Sequence, residues 1–238
     1  MDDTASITAV DASVPRVGPS WAVAVMAAVG GVALLAMGGP RLIAATMTVE
    51  ARSVIWDVYE GTPVPQDRLL AAAADVAAAA RWARDGELEA SGGLLLLRAA
   101  EGAPEPRQAE LRTAAVAALE SALSVAPGQP NAWFNLAHLR RLRGDPAGAV
   151  AALRMSLLAG RFVPGLMQSR IALGVALLPA MDRETLDLLH REIRLMWVAE
   201  PHYVAELGAS PAAGPVVRAA LDGLTEAEMA EYRRRHGR

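Results

Sequence analysis

The chain has 238 residues and a formal net charge of −3, and 53% of its residues are hydrophobic although only 4% are aromatic. This small charge argues against a nucleic-acid-binding protein, because such proteins usually present a strongly basic face. The absence of cysteine excludes disulfides, thiolate metal sites and cysteine nucleophiles. The apolar residues are mainly alanine and leucine, which favour helices, whereas strands are enriched in β-branched and aromatic residues.

The N-terminal region predicts a tail followed by one membrane span. Residues 1–16 are small and polar without a hydrophobic pattern, so we predict a disordered tail. Residues 17–40 contain no charged side chain, and about twenty apolar residues in a helix cross a hydrocarbon core of ~30 Å. We therefore predict a transmembrane helix over 17–40. A cleaved signal peptide is the alternative, since Ala36-Met37-Gly38 has the form of a cleavage site.

The charges that flank the predicted span give little information on its orientation. Arg16 precedes it, whereas Arg41 and Arg52 follow it, and the positive-inside rule would place the following domain in the cytoplasm. Long domains are translocated largely regardless of such charges. A single early span before a large soluble domain is typical of a signal anchor, and on that ground we predict export of the domain.

Residues 41–65 are predicted to be a stalk or linker between the span and the soluble domain. A helix over 41–60 is expected to end at Gly61-Thr62-Pro63-Val64-Pro65, because two prolines do not fit inside a helix. Trp56 and Tyr59 share a face of that helix, and they are expected to cap the core or to lie at the membrane interface. Core capping is the commoner fate of such residues.

The remainder of the chain predicts helices separated by short breaks. A degenerate helical hairpin is predicted over 66–104, from helices at 66–85 and 87–100. Residues 105–164 are predicted to form helices at 105–126, 130–143 and 146–159. Capping helices are predicted over 165–238, one of them N-capped by Asp182 and a last one over 225–236.

An internal repeat lies in the middle of this region. Three apolar pairs are each separated by 34 positions: Ala115 and Ala149, Leu119 and Leu153, Leu123 and Leu157. Between them, Trp133, Leu136 and Ala137 have the spacing of the tetratricopeptide repeat, a helical hairpin of 34 residues, and Pro127 closes the preceding unit. Arg140, Leu153 and Arg161 depart from that pattern. The chain therefore resembles a tetratricopeptide repeat protein over about fifty residues.

This resemblance implies a site for protein partners. In the family, the first helix of each unit lines a concave surface that takes partner peptides. Its inner positions correspond here to five residues: Asn131, Phe134, Asn135, His138 and Arg141. The amides would bind a peptide backbone and the arginine a carboxylate. The alternatives are that these side chains pack on a neighbouring helix or face water.

The titratable residues show no pattern of a catalytic, cofactor or metal site. The histidines His138, His190, His202 and His236 lack metal-ligand spacing, and the glycine pairs lack the lysine of a phosphate loop. The acidic residues Glu184, Asp187 and Glu192 are expected on the solvated side of one helix. We therefore predict no enzyme activity, no cofactor and no metal.

Together these features predict an all-α, single-pass protein of the bacterial inner membrane with a periplasmic tetratricopeptide-like domain. Its expected function is that of a scaffold or adaptor for protein partners, held to the membrane by residues 17–40 and not binding nucleic acid. The layout is similar to small membrane-bound repeat proteins that accompany exopolysaccharide and O-antigen assembly. A periplasmic solute- or glycan-binding protein is the first alternative, and an enzyme with an unrecognised site is the second.

Overall fold

The computed structural model describes residues 21–222 and 224–227, and within these ranges the chain is all-α, as the sequence predicts. The predicted tail over 1–16 lies outside the described residues, as does most of the helix predicted over 225–236. The α-helices are α1 (Trp21–Met47), α2 (Val49–Tyr59), α3 (Gln66–Ala79), α4 (Gly86–Glu101), α5 (Arg107–Val125), α6 (Pro130–Leu142), α7 (Pro146–Ala159), α8 (Pro164–Leu177), α9 (Arg183–Ala199), α10 (Pro201–Ala209) and α11 (Gly214–Leu221), and a 3₁₀ turn covers Leu178–Ala180.

The described residues divide into two compact units, one ending at Leu42 and the other beginning at Ile43. The first unit contains most of α1, which has 27 residues and is long and apolar enough to cross a membrane. At about 1.5 Å per residue, such a helix exceeds the ~30 Å of a hydrocarbon core. Its apolar side chains are exposed, including Leu34 and Leu35, which are each 73% exposed. The helix also continues past Pro40, where the predicted span ends.

The second unit is a stack of helical hairpins. Successive helices pair as α2 with α3, α4 with α5, α6 with α7, α8 with α9, and α10 with α11. The first helices of neighbouring hairpins also contact each other, α2 with α4, α4 with α6 and α6 with α8. Contacts between adjacent units are the mark of a repeat architecture, in which each hairpin buries its apolar face against the next.

Three apolar clusters run through the stack. One joins α2 to α5, a central one joins α4 to α8, and a third joins α8 to α11. All six residues of the 34-residue pairs belong to the central cluster, and Ala115, Ala149, Leu119 and Leu153 have no exposed surface. The repeated positions of α5 and α7 therefore occupy equivalent core sites.

Three helices begin with an aspartate cap. The carboxylate of Asp85 accepts hydrogen bonds from the backbone N–H groups of Glu87 and Leu88, both at 3.1 Å. Asp145 accepts one from Gly148 at 2.8 Å, and Asp182 accepts one from Thr185 at 2.9 Å. Each bond satisfies a backbone donor that the first helical turn leaves free. The predicted cap at Asp182 is confirmed.

Small residues bring α4 and α5 unusually close together. A Cβ atom added at Gly93 would lie 2.7 Å from Leu119 Cγ, and one added at Gly86 would lie 2.6 Å from Ala126 Cβ. Only glycine fits at these two points without displacing the facing helix. Because the start of α4 meets the end of α5, the two helices are antiparallel.

The end predicted for α3 was wrong. The predicted helix over 66–85 ends at Ala79, and a turn follows it before Asp85, which caps α4. Helix α11 begins at Gly214, whose N–H donates to the Ser210 carbonyl at 2.7 Å.

A buried ion pair joins α7, α8 and α9. Arg170 has no exposed side-chain surface, and its Nη1 lies 3.1 Å from Glu192 Oε1. The guanidinium also donates to the carbonyls of Ser156 and Gly160, both at 2.8 Å, and to Ser156 Oγ at 3.0 Å. Burial raises the pKa of Glu192, and the charge of Arg170 opposes that rise. The prediction that Glu192 is solvated was wrong, whereas Glu184 and Asp187 are exposed as expected.

Candidate functional site: a cleft along the first helices of three hairpins

The first helices of three successive hairpins, α2, α4 and α6, line a common cleft on the second unit. It consists of two adjoining hollows of about 480 and 190 Å³. The two hollows share four lining residues: Tyr59, Glu87, Ser91 and Asn131. The cleft therefore depends on the stacking of the hairpins and on no single helix.

Helix α2 supplies the aromatic side of the cleft. Trp56 is 65% exposed and Tyr59 is 57% exposed, and both line the larger hollow together with Arg52. The expectation that these two aromatic residues cap the core was therefore wrong. The opposite face of α2 fixes this orientation, because Ala51 and Val54 are buried against α3 and α4.

The contribution of α2 differs from the sequence-based prediction of a stalk or linker over 41–65. The structure places α2 in the second compact unit. The signal was present in the spacing of Ala51, Val54 and Val58, since apolar residues three and four positions apart share one face of a helix. The pattern is hard to recognise because α2 is short and charged residues lie between its apolar ones.

Helix α4 forms the floor of the cleft. Glu87 is exposed in the first turn of the helix, and the Ser91 hydroxyl one turn later donates to the Glu87 carbonyl at 3.1 Å. Ser91 itself is only 8% exposed. Asp85, the cap of this helix, lies at the edge of the larger hollow. The floor is thus polar, with carboxylates at one end.

Helix α6 carries the five residues predicted from the resemblance, and the structure places them along one side of it. Asn131 and Asn135 line the cleft. The rings of Phe134 and His138 are stacked with their centroids 6.5 Å apart, and Phe134 also packs against the central core cluster. Arg141 is exposed near the end of the helix. Only the two amides are lining residues of the hollows.

The end of α6 that carries His138 is electropositive. Burial lowers the pKa of His138, and the positive charges of Arg141, Arg112 and Arg98 lower it further, while Glu101 opposes them. The imidazole is therefore neutral near pH 7, where it offers one donor and one acceptor. Arg98 is ion-paired with Glu101 at 3.2 Å, which leaves Arg141 and Arg112 as the cations of this end without an ion-pair partner among the described residues.

This arrangement suits an extended polar ligand. Asn131 and Arg141 are separated by ten residues of helix, or about 15 Å, which matches four or five residues of extended peptide. The amides can pair with peptide N–H and C=O groups, and a guanidinium favours a carboxylate. Among the residues that the structure describes, no group of three His, Asp or Glu side chains is placed to hold a metal ion.

Comparison with known proteins does not assign the chain to a family. No family model, curated protein or solved structure matches it. The tetratricopeptide resemblance therefore stays a prediction.

Proposed function

We propose that the protein is a membrane-anchored scaffold or adaptor that binds a protein partner in the cleft of α2, α4 and α6. One observation carries this proposal: the first helices of three hairpins face a common cleft lined by exposed aromatic, amide and charged side chains. Such a preformed surface can hold an extended segment without a large ordering cost in the protein. The proposal includes no catalytic step, no cofactor and no nucleic acid.

The anchor in this proposal is α1. A helix of 27 residues with an exposed apolar surface is long enough to span the bilayer. Tethering the hairpin stack to a membrane raises its effective concentration toward any partner in the same membrane. We place the anchor in a bacterial inner membrane. A setting in exopolysaccharide or O-antigen assembly rests on the similarity of layout alone and stays a prediction.

We propose further that the hairpin stack lies on the periplasmic side. Alkaline phosphatase folds into an active enzyme only when it is exported, so its fusion to the C-terminus reports the side of the membrane. We expect high phosphatase activity in intact cells. An inactive phosphatase fusion, together with a fluorescent green fluorescent protein fusion at the same position, would place the stack in the cytoplasm and leave the cleft proposal untouched.

Glycan binding is the second candidate, because one specific observation favours it. Trp56 and Tyr59 are exposed on one face of α2, beside Asp85, Glu87 and Asn131, and exposed aromatic rings are suited to contact with sugars. Aromatic faces with neighbouring carboxylate and amide groups suit the apolar and hydroxyl faces of a sugar ring. Photocrosslinking from the cleft separates protein binding from glycan binding.

The test is photocrosslinking in intact membranes. A photoreactive phenylalanine analogue replaces Asn135 in the cleft of the full chain, and the control carries it in place of Thr113, which is exposed on α5. We expect a defined protein adduct from position 135 that is absent from position 113. Identical adducts from both positions contradict the proposal. An adduct at position 135 that contains glycan and no protein supports the second candidate instead.

A further inference from the structure

The larger hollow of the cleft combines exposed aromatic rings with carboxylates. Trp56 and Tyr59 line it from α2, and Asp85 and Glu87 line it from the start of α4. Its volume of about 480 Å³ falls within the range of small-ligand sites, so it has room for one long side chain of a bound segment. The charges and rings around the hollow decide which kind of side chain it favours.

The charged residues of the larger hollow are two carboxylates and one cation. They are Asp85, Glu87 and Arg52, and none of them has an ion-pair partner among the described residues. The Asp85 carboxylate is held in place by the backbone N–H groups of Glu87 and Leu88. The Glu87 carboxylate is exposed and is not used in the cap. The hollow is therefore negative overall, and Glu87 can pair with a cation from a partner.

The start of α4 does not offer a site for an anion. A helix N-terminus ordinarily attracts negative charge through its free N–H groups. Here the Asp85 carboxylate already accepts from two of those groups, and Glu87 places a second carboxylate in the same turn. An acidic side chain in the hollow would lie near both carboxylates, with only Arg52 to offset them. Repulsion between like charges therefore disfavours an acidic occupant.

The aromatic side of the hollow also favours a cation. The face of a tryptophan ring attracts lysine and arginine more strongly than the other aromatic rings do. Trp56 is mostly exposed, and no cation of the described residues stacks on it, although Arg52 lies one turn earlier on the same helix. A cationic side chain in the hollow would thus meet an aromatic ring and a carboxylate together.

The opposite end of the cleft region has the opposite charge. The end of α6 carries Arg141, and Arg112 of α5 lies near the same imidazole of His138. A segment bound along the first helices would therefore meet negative charge beside α2 and the start of α4, and positive charge at the end of α6. This asymmetry favours one direction of binding for a segment that has a basic residue at one end.

We infer that the larger hollow binds a basic side chain, arginine or lysine, of the partner segment, with its cation between the Trp56 ring and the Glu87 carboxylate. The inference rests on the proposed function and adds the residue type that the partner must present. The aliphatic part of the basic side chain packs against Tyr59 and Ile55, which also line the hollow. Asn131, which lines both hollows, pairs with the backbone of the segment.

The test is a peptide titration of the full chain in phosphatidylcholine nanodiscs, which carry no net charge that would attract the peptide. The chain is labelled with 5-fluorotryptophan, and the fluorine resonance of Trp56 is identified by its loss in Trp56→Phe. The probe is an acetylated and amidated peptide, Gly-Ser-Arg-Ser-Gly. Two control peptides carry citrulline or glutamate in place of the arginine. The arginine peptide should shift the Trp56 resonance with a Kd at least about tenfold lower than that of the citrulline peptide, which lacks only the charge.

Two exposed charges in the hollow give opposite predictions. Glu87→Gln should raise the Kd of the arginine peptide about fivefold or more, whereas Arg52→Gln should lower it about twofold, because it removes a like charge. The matched control is Asp187→Asn, which neutralises an exposed carboxylate on α9 and should leave the Kd unchanged. Equal Kd values for the arginine and citrulline peptides, or tighter binding of the glutamate peptide, would overturn the inference.

Photocrosslinking from position 135 keeps this inference separate from the proposed function. A protein adduct there, together with an arginine peptide that does not respond to Glu87→Gln, would overturn the inference and leave the proposed function intact. Binding of the arginine peptide that depends on Glu87, without any protein adduct, would instead contradict the proposed function, although the cation site would stand.

Discussion

Replacing Glu192 with alanine is expected to lower the free energy of unfolding by about 3–5 kcal/mol, because it leaves the guanidinium of Arg170 buried without its counter-charge. Arg170 has no exposed side-chain surface and Glu192 only 3%. The loss should spread beyond α9, since Arg170 also holds the carbonyls of Ser156 and Gly160 near the end of α7. Urea unfolding of the full chain in detergent, followed by circular dichroism, measures this effect.

An exposed ion pair between neighbouring hairpins provides the matched control. Arg154 Nη1 lies 2.9 Å from Glu184 Oε2, but 69% of the Glu184 side chain is exposed. Glu184→Ala should therefore cost no more than about 1 kcal/mol. Arg170→Met combined with Glu192→Met should recover only part of the loss, because the Ser156 and Gly160 carbonyls remain without their donor. Equal costs for Glu192→Ala and Glu184→Ala would show that the buried pair contributes little.

Helices with strong start signals were predictable from the sequence. The prediction for α7 has the observed limits, Pro146 and Ala159, because Asp145 caps the helix and proline fits its first turn. The start of α9 was predictable in the same way, because Asp182 caps it. Helix ends were less certain. The alanine-rich sequence of α3 has no intrinsic stop before Asp85, yet the helix ends at Ala79 and Asp85 caps α4.

The buried ion pair was beyond sequence reasoning. Position 192 follows the same charged pattern as Glu184 and Asp187, and a helical pattern cannot tell which charged residue faces the next hairpin. Arg170 likewise lies among polar residues in α8. Only the packing of α7, α8 and α9 brings these two side chains together, and that packing depends on contacts between residues far apart in sequence.

Only the part of the cleft that α6 forms could be predicted from the sequence. The resemblance pointed to α6, where Asn131 and Asn135 line the cleft, and their role in binding a partner stays a prediction. The resemblance could not identify the cleft residues of α2 and α4, because the hairpins before α6 do not carry a recognisable repeat. Trp56 and Tyr59 were visible as a pair, but their position depends on which side of α2 is buried. Ala51 and Val54 are buried, which turns Trp56 and Tyr59 toward the cleft. This burial depends on how the hairpins stack.

The second large effect is expected on partner binding, through Asn135→Ala combined with Arg141→Ala. The first change removes an amide that lines the cleft, and the second removes an exposed cation beside the neutral His138. A lost neutral hydrogen bond costs about 1 kcal/mol and a charge-assisted one about 1.5–3 kcal/mol. Together they should raise the Kd at least about tenfold. The matched control, Thr113→Ala with Arg143→Ala, changes two exposed side chains that are not among the five predicted site residues.

The Kd of the partner identified by crosslinking, measured against the full chain in lipid nanodiscs, is the most direct test of binding in the cleft. The cleft variant should bind at least about tenfold more weakly than the unaltered chain, and the control variant should bind within about twofold of it. Equal Kd values for all three proteins would contradict the account, because the partner would then be held by another part of the molecule.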